Sequence, residues 1–246
     1  IMDTAIGSKI ADYISKPVNP NQVLLSIKKN LHSQQLVTEQ TTADYRSEFG
    51  RIAAQQQSAS TFTEWGQLYR KVVGWEIELA ASSDKSIREV LAYQKDEANQ
   101  AFSKFVRRNY YDWINRRIDD DEIPTMSHTL MRHRIFPEVD SAEHTTLLLI
   151  DNMRYDQWRT IAPMLRGLFD IDTDDFYCAI LPTATQYARN SLFAGLMPLA
   201  IDKLMPDKWL NDNEDGGKNM YEEEFLKRLI TQSGKKYKLS FDKLVR

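Results

Sequence analysis

Between residues 37 and 122, apolar and aromatic side chains return every three or four positions, and no other feature constrains the chain as much. Phe62, Trp65, Leu68, Tyr69, Val72, Val73, Trp75, Ile77 and Leu79 form one such series. Ile87, Val90, Leu91, Ala98, Phe102, Phe105 and Val106 form another. A helix turns once in about 3.6 residues, so this spacing lines one face with apolar groups that a neighbouring helix must cover. The polar tracts "AAQQQSAS" and "SSDKS" separate the series and mark interhelical turns, and "RRIDDDEIP" reads as a solvated helix end before Pro124. The expected structure is a bundle of about three helices with the aromatic stripe in its core.

The period changes on either side of this region. "TTLLLI" (145–150) is a short unbroken apolar run of the kind that fills a buried parallel strand. A helix pattern follows in "RYDQWRTIAPMLRGLF", with Pro163 a point of breakage or kinking. "FYCAIL" then reads as a second strand and "TQYARNSLFAGL" as a second helix. Strand, helix, strand, helix predicts an α/β region with a parallel sheet, in which ligands gather at the carboxyl ends of the strands. Toward the start, "IADYI" is strand-like, and "NPNQVLLSIKKNL" opens an amphipathic helix with Asn19 as N-cap and Pro20 at its first position. That is half of an α/β unit. The expectation is therefore a multidomain chain with regions 1–36, 37–125 and 126–246. The opening at Ile1 reads as mid-domain, so the chain is expected to be a segment of a longer protein.

A net charge of −3 and a pI near 5.9 provide no basic footprint for nucleic acid or an acidic membrane. No apolar run approaches the roughly 20 residues that span a bilayer. The single cysteine, Cys178, excludes an internal disulfide and suits a reducing, cytoplasmic compartment. Its setting in "FYCAI" marks it as a core residue. No glycine-rich phosphate loop occurs; "DNEDGGKN" is a polar loop without that motif.

Chemistry has one natural place in this layout. Asp151 immediately follows the run "TTLLLI", and Thr185 opens the helix after the second run, so both are expected at one edge of the sheet. A carboxylate there can hold a cation. A helix N-terminus offers free N–H groups and the positive end of its dipole to a phosphate. Thr183 and Thr185 can be read as ordinary capping residues, or one of them as a nucleophile. A threonine hydroxyl attacks at neutral pH only when a base or a metal activates it.

"LLLIDNMRYDQW" resembles the first strand of the alkaline phosphatase superfamily, where an apolar strand ends in a metal-ligating Asp. "LPTATQYARNSLFAGLMP" resembles the nucleophile segment of its phosphodiesterase branch, a Pro-Thr-x-Thr turn opening a helix that closes on Gly-Leu-x-Pro. The PglZ-type subgroup is the most similar. The resemblance implies Thr185 as nucleophile and metal ligand, Asp151 as metal ligand, and two zinc ions per complete domain. Ala188 stands where that branch carries an Asn, so Arg189 or Asn190 is expected to contact the phosphoryl oxygens instead. The family's further Asp and His ligands follow the nucleophile, whereas His32, His128, His133 and His144 all precede Thr185. The remaining ligands are expected beyond Arg246, leaving this segment alone inactive.

"DYISKP" resembles the last strand of a two-component receiver domain. By that match Lys16 contacts the phosphorylated aspartate and Tyr13 is the aromatic switch residue, with the phosphoacceptor and its Mg2+ site outside this chain. A receiver end, a helical middle and a PglZ-type domain together resemble the PorX-type response regulators. Membership implies a sensor histidine kinase as partner and a homodimer formed on phosphorylation. It also implies a link to type IX secretion, and a zinc-dependent phosphodiesterase output acting on oligonucleotides or cyclic nucleotides. The rival expectation is a non-catalytic signalling scaffold with a degenerate phosphatase fold that binds a regulatory protein partner.

Overall fold

The computed structural model describes residues 16, 20–80, 82, 84–115, 120–211 and 213–244. The chain divides into two compact units, one ending at Arg108 and the other running from Asn109 to Arg246.

The described residues of the first unit are largely helical. Helix α1 (Pro20–Ser58) begins with a proline, whose fixed φ and missing N–H suit the first helical position. Helix α2 (Phe62–Leu79) is started by a capping box: the Glu64 amide donates to the Thr61 hydroxyl at 3.2 Å, and the Thr61 amide donates to the Glu64 carboxylate at 3.0 Å. Helix α3 (Lys85–Asn115) contributes its first six turns to this unit. Tyr45, Ile52, Trp65, Leu68, Val72, Leu79, Ile87 and Leu91 are the buried core, with Trp75, Phe102 and Phe105 packed against it. The Trp65 ring lies 5.6 Å from Phe102 and 5.9 Å from Phe105, a spacing at which aromatic pairs attract. The helical bundle expected from the three-to-four spacing is present. Not every member of the stripe is interior: Tyr69, Ile77 and Val90 face solvent.

One polar pair is sealed in this core. The fully buried Tyr45 hydroxyl donates to Gln94 Oε1 at 2.9 Å, and Gln94 Nε2 donates to the Phe49 carbonyl at 3.0 Å. Each group thereby satisfies a neighbour that would otherwise be costly to bury.

The second unit starts with the last turns of α3, where Trp113 is buried. A π-helical turn (Met131–Ile135) leads into helix α4 (Phe136–Ser141), and α5 (Tyr155–Leu165) follows after an irregular stretch. Helices α6 (Thr185–Ala194), α7 (Pro198–Leu204) and α8 (Glu222–Gln232) complete it. Helices α6 and α8 pack together, and Leu192, Phe193 and Ala194 meet Phe225, Leu226, Leu229 and Ile230 in one apolar cluster. Gly195 ends α6 with a φ of +62°, and its N–H donates to Ser191 O at 2.9 Å.

Two expectations about fold class are corrected here. The alkaline-phosphatase-like region was expected to carry a parallel sheet, yet no strand or sheet forms among the described residues. "TTLLLI" is without regular secondary structure and solvent-exposed, with Leu148 at 77% and Ile150 at 56% exposure. The second expected strand makes a single parallel bridge, Cys178 to Met126. An apolar run has the composition of a strand, but a strand exists only where neighbours complete its ladder, and local period says nothing about neighbours. The α/β receiver end is likewise not observed. What is described of residues 1–36 is Lys16 in a bend and the start of α1, which passes residue 36 without a break. The expected strand "IADYI" lies outside the described residues.

Cys178 is buried, in keeping with its reading as core, and burial pushes its thiol up to about 11. A thiol held protonated in this way is a poor nucleophile.

Candidate functional site

The second unit brings two of the candidate residues into contact. Asp151 follows the exposed apolar run in a turn, with Asn152 next to it at φ +60°, a left-handed conformation that asparagine tolerates. Thr185 is exposed and is the first residue of α6. Arg189 stands one turn further along the same helix, and side chains four apart share a face. Its Nη1 donates to Asp151 Oδ2 at 3.0 Å. The carboxylate expected to face the nucleophile's helix therefore meets it through a guanidinium.

The other half of that guanidinium points inward. Arg189 Nη2 donates to Glu222 Oε2 at 2.7 Å and lies 2.6 Å from Oε1. Glu222 is the first residue of α8 and only 2% exposed. Lys243 Nζ, from the segment after α8, is 2.8 Å from the same carboxylate. Two cations and the positive end of a helix thus compensate one buried charge, which left alone would cost several kcal/mol. Burial works against the charge on Arg189, but the hydrogen bond to Asp151 and the nearness of Glu222 outweigh it, and the guanidinium holds its proton beyond the ordinary arginine range. Burial also raises the Tyr177 phenol, and the negative charge of Asp151 pushes it further the same way.

Asn190 faces elsewhere. It is buried, its amide donates to the Lys218 carbonyl at 2.9 Å, and its Oδ1 accepts from Asn219 Nδ2 at 3.2 Å. The side chain anchors the polar loop before α8. The N-cap of α6 is Ala184, which has no side-chain oxygen to offer the first helical N–H groups. Lys16 is exposed and in a bend, and Tyr13 lies outside the described residues.

Sequence reasoning passed over Glu222, Lys243 and Asn219. Glu222 did carry a signal. It shares the spacing of Phe225, Leu226 and Leu229, so the first of the three acids in "YEEEF" falls on the apolar face of its helix. Nothing local singles out Lys243, which reaches Glu222 from 21 residues away.

Whether these residues suit a metal can be judged from the donor set. Zinc takes three or four nitrogen, oxygen or sulfur ligands. Here the Asp151 and Glu222 carboxylates are both already paired with Arg189, and Thr185 adds one hydroxyl. No group of three or more His, Cys, Asp or Glu side chains that could hold a metal occurs among the described residues. The described residues alone supply too few donors to complete a zinc centre, and no chemical step is assigned to one.

Residues 35–114 match the PorX response regulator linker domain, and residues 130–246 match the BREX system PglZ alkaline phosphatase-like domain. The two matches, in this order, fit a PorX-type fusion. No curated protein matches it. A PorX-type chain is part of a two-component regulator with a phosphatase-like output, within a superfamily that generally uses metal ions. No helix among the described residues of this PorX-type chain is long and apolar enough to cross a membrane.

Proposed function

We propose that the output domain of this response regulator hydrolyses phosphodiesters, with Thr185 as the attacking alcohol and Arg189 as the residue that steadies the phosphoryl group. The observation that carries this reading is the hydrogen bond from Arg189, on the helix that Thr185 opens, to Asp151 at 3.0 Å. It brings an anion-binding guanidinium and a carboxylate together at the helix that Thr185 opens. A guanidinium pairs well with phosphoryl oxygens because its planar fork matches their geometry. The helix end adds partial positive charge on the same side.

A threonine hydroxyl needs a base or a metal to attack phosphorus. What this chain's own residues do is bind and orient: Arg189 fixes the phosphoryl oxygens, and the start of α6 sets the hydroxyl beside them. Zinc dependence, a substrate among oligonucleotides or cyclic nucleotides, a histidine-kinase partner, a dimer on phosphorylation and a link to type IX secretion extend this proposal on the strength of the PorX-type resemblance.

The test is hydrolysis of bis(p-nitrophenyl) phosphate by the natural protein that carries this chain, supplied with zinc. Thr185→Ala is expected to lower the rate by about a thousandfold or more, as loss of a nucleophile does. Chelation should abolish the rate and zinc should restore it. Equal rates for the wild type and Thr185→Ala would remove Thr185 from the reaction.

A further inference from the structure

Among the described residues of the second unit, Glu222 is the most deeply placed charge, and it has no part in the chemistry described so far. Its surroundings are specific. Both carboxylate oxygens lie within 2.7 Å of Arg189 Nη2, and Lys243 closes on Oε2 at 2.8 Å. Neither cation is needed to fill the core, since Arg189 is 21% and Lys243 34% exposed at the side chain. The backbone of Glu222 is fixed as well, because α8 is packed through Phe225, Leu226 and Leu229 against α6, the helix that carries Arg189.

We propose that Glu222 is the positioning residue of the phosphoryl site: its buried carboxylate clamps one edge of the Arg189 guanidinium, so that Nη1 faces the Asp151 side, where an anionic oxygen can take it up. The inference rests on Arg189 as the phosphoryl contact.

Arginine suits this arrangement for a physical reason. Its five N–H groups lie in one rigid plane, so holding one edge fixes the direction of the other. An arginine without such a clamp loses side-chain entropy each time it engages an anion, whereas a clamped one has already lost it. Lys243 has a different part. It neutralises the remaining charge of Glu222, so the carboxylate can hold the guanidinium without carrying an uncompensated negative charge into the site.

The experiment compares Glu222→Gln, Arg189→Ala and the double variant in the natural protein, with bis(p-nitrophenyl) phosphate as substrate and zinc supplied. Glu222→Gln keeps the volume and one acceptor oxygen but loses the charge. It is expected to lower kcat/KM by about ten- to a hundredfold, the range for misplacing a group near reacting atoms. The double variant should be no worse than Arg189→Ala alone, because a clamp has nothing to do once its arginine is gone. Full activity of Glu222→Gln, or losses that multiply in the double variant, would overturn the proposal.

If Glu222→Gln does not fold, Arg189→Lys decides the matter. Lysine keeps the charge and the pairing with Glu222 but has no second rigid edge, so a loss of similar size is expected, and wild-type kinetics would overturn the clamp. A wild-type protein that fails to hydrolyse the substrate removes the phosphodiesterase reading, and this inference with it. An active wild type with an indifferent Glu222 removes the clamp alone.

Discussion

At the scale of single residues, the buried polar groups carry more consequence than the apolar ones around them. Tyr45 is the clearest case in the first unit. Burial raises its hydroxyl from 10.0 to about 12, and the group donates to Gln94. The sign follows from proton counting: between those values the unfolded chain has released its proton and the folded one has not, so raising the pH favours unfolding. Urea unfolding should show stability level near neutrality and falling from about pH 10 toward 12. In Tyr45→Phe that part of the slope should vanish, while stability at neutral pH drops by about 1–3 kcal/mol for the unpaired Gln94 oxygen. Asp151 and Arg189 could each be picked out from the sequence, but not their meeting. That contact depends on how a turn and a helix 38 residues apart are set, which no local pattern states. Glu222 shows the converse: its spacing placed it on a core face, and its acidity made it easy to assign to solvent.

At the scale of elements, the helices of the first unit were legible because each needs only its own period to declare itself. The Thr61–Glu64 capping box and the Pro20 start are equally local. The two expected strands failed for the opposite reason, since pairing is a relation between distant segments. "TTLLLI" has the right residues and no ladder among the described ones. The join between α6 and α8 yields a sharp expectation. A Cβ on Gly195 would sit 2.5 Å from Leu229 Cδ1 and 3.1 Å from Arg132 Nη1, and the backbone there has a φ of +62°. Gly195→Ala is therefore strained both in its dihedral and in its packing, and should cost about 2–3 kcal/mol in urea or thermal unfolding. An unchanged midpoint would mean that the α6 end is not held against Leu229.

At the scale of the whole molecule, an exposed irregular segment stands out against a helical background. Leu147, Leu148, Leu149 and Ile150 are all solvent-facing, and no backbone hydrogen bond ties residues 145–150 among the described ones. Six such residues without charge or proline have the composition that pairs edge to edge between copies. Leu148→Lys, at a site 77% exposed, should raise the concentration at which the protein stays monomeric in light scattering, with the thermal midpoint unchanged. A lowered midpoint would instead mark Leu148 as a packing residue. Helix α8 carries a different kind of consequence. Its apolar residues fill the core and its first residue grips Arg189, so a single rotational setting serves both tasks. A change that turns α8 moves both together, so on the proposed reading variants that repack Phe225 or Leu229 surface in screens as slow enzymes before they surface as unstable proteins.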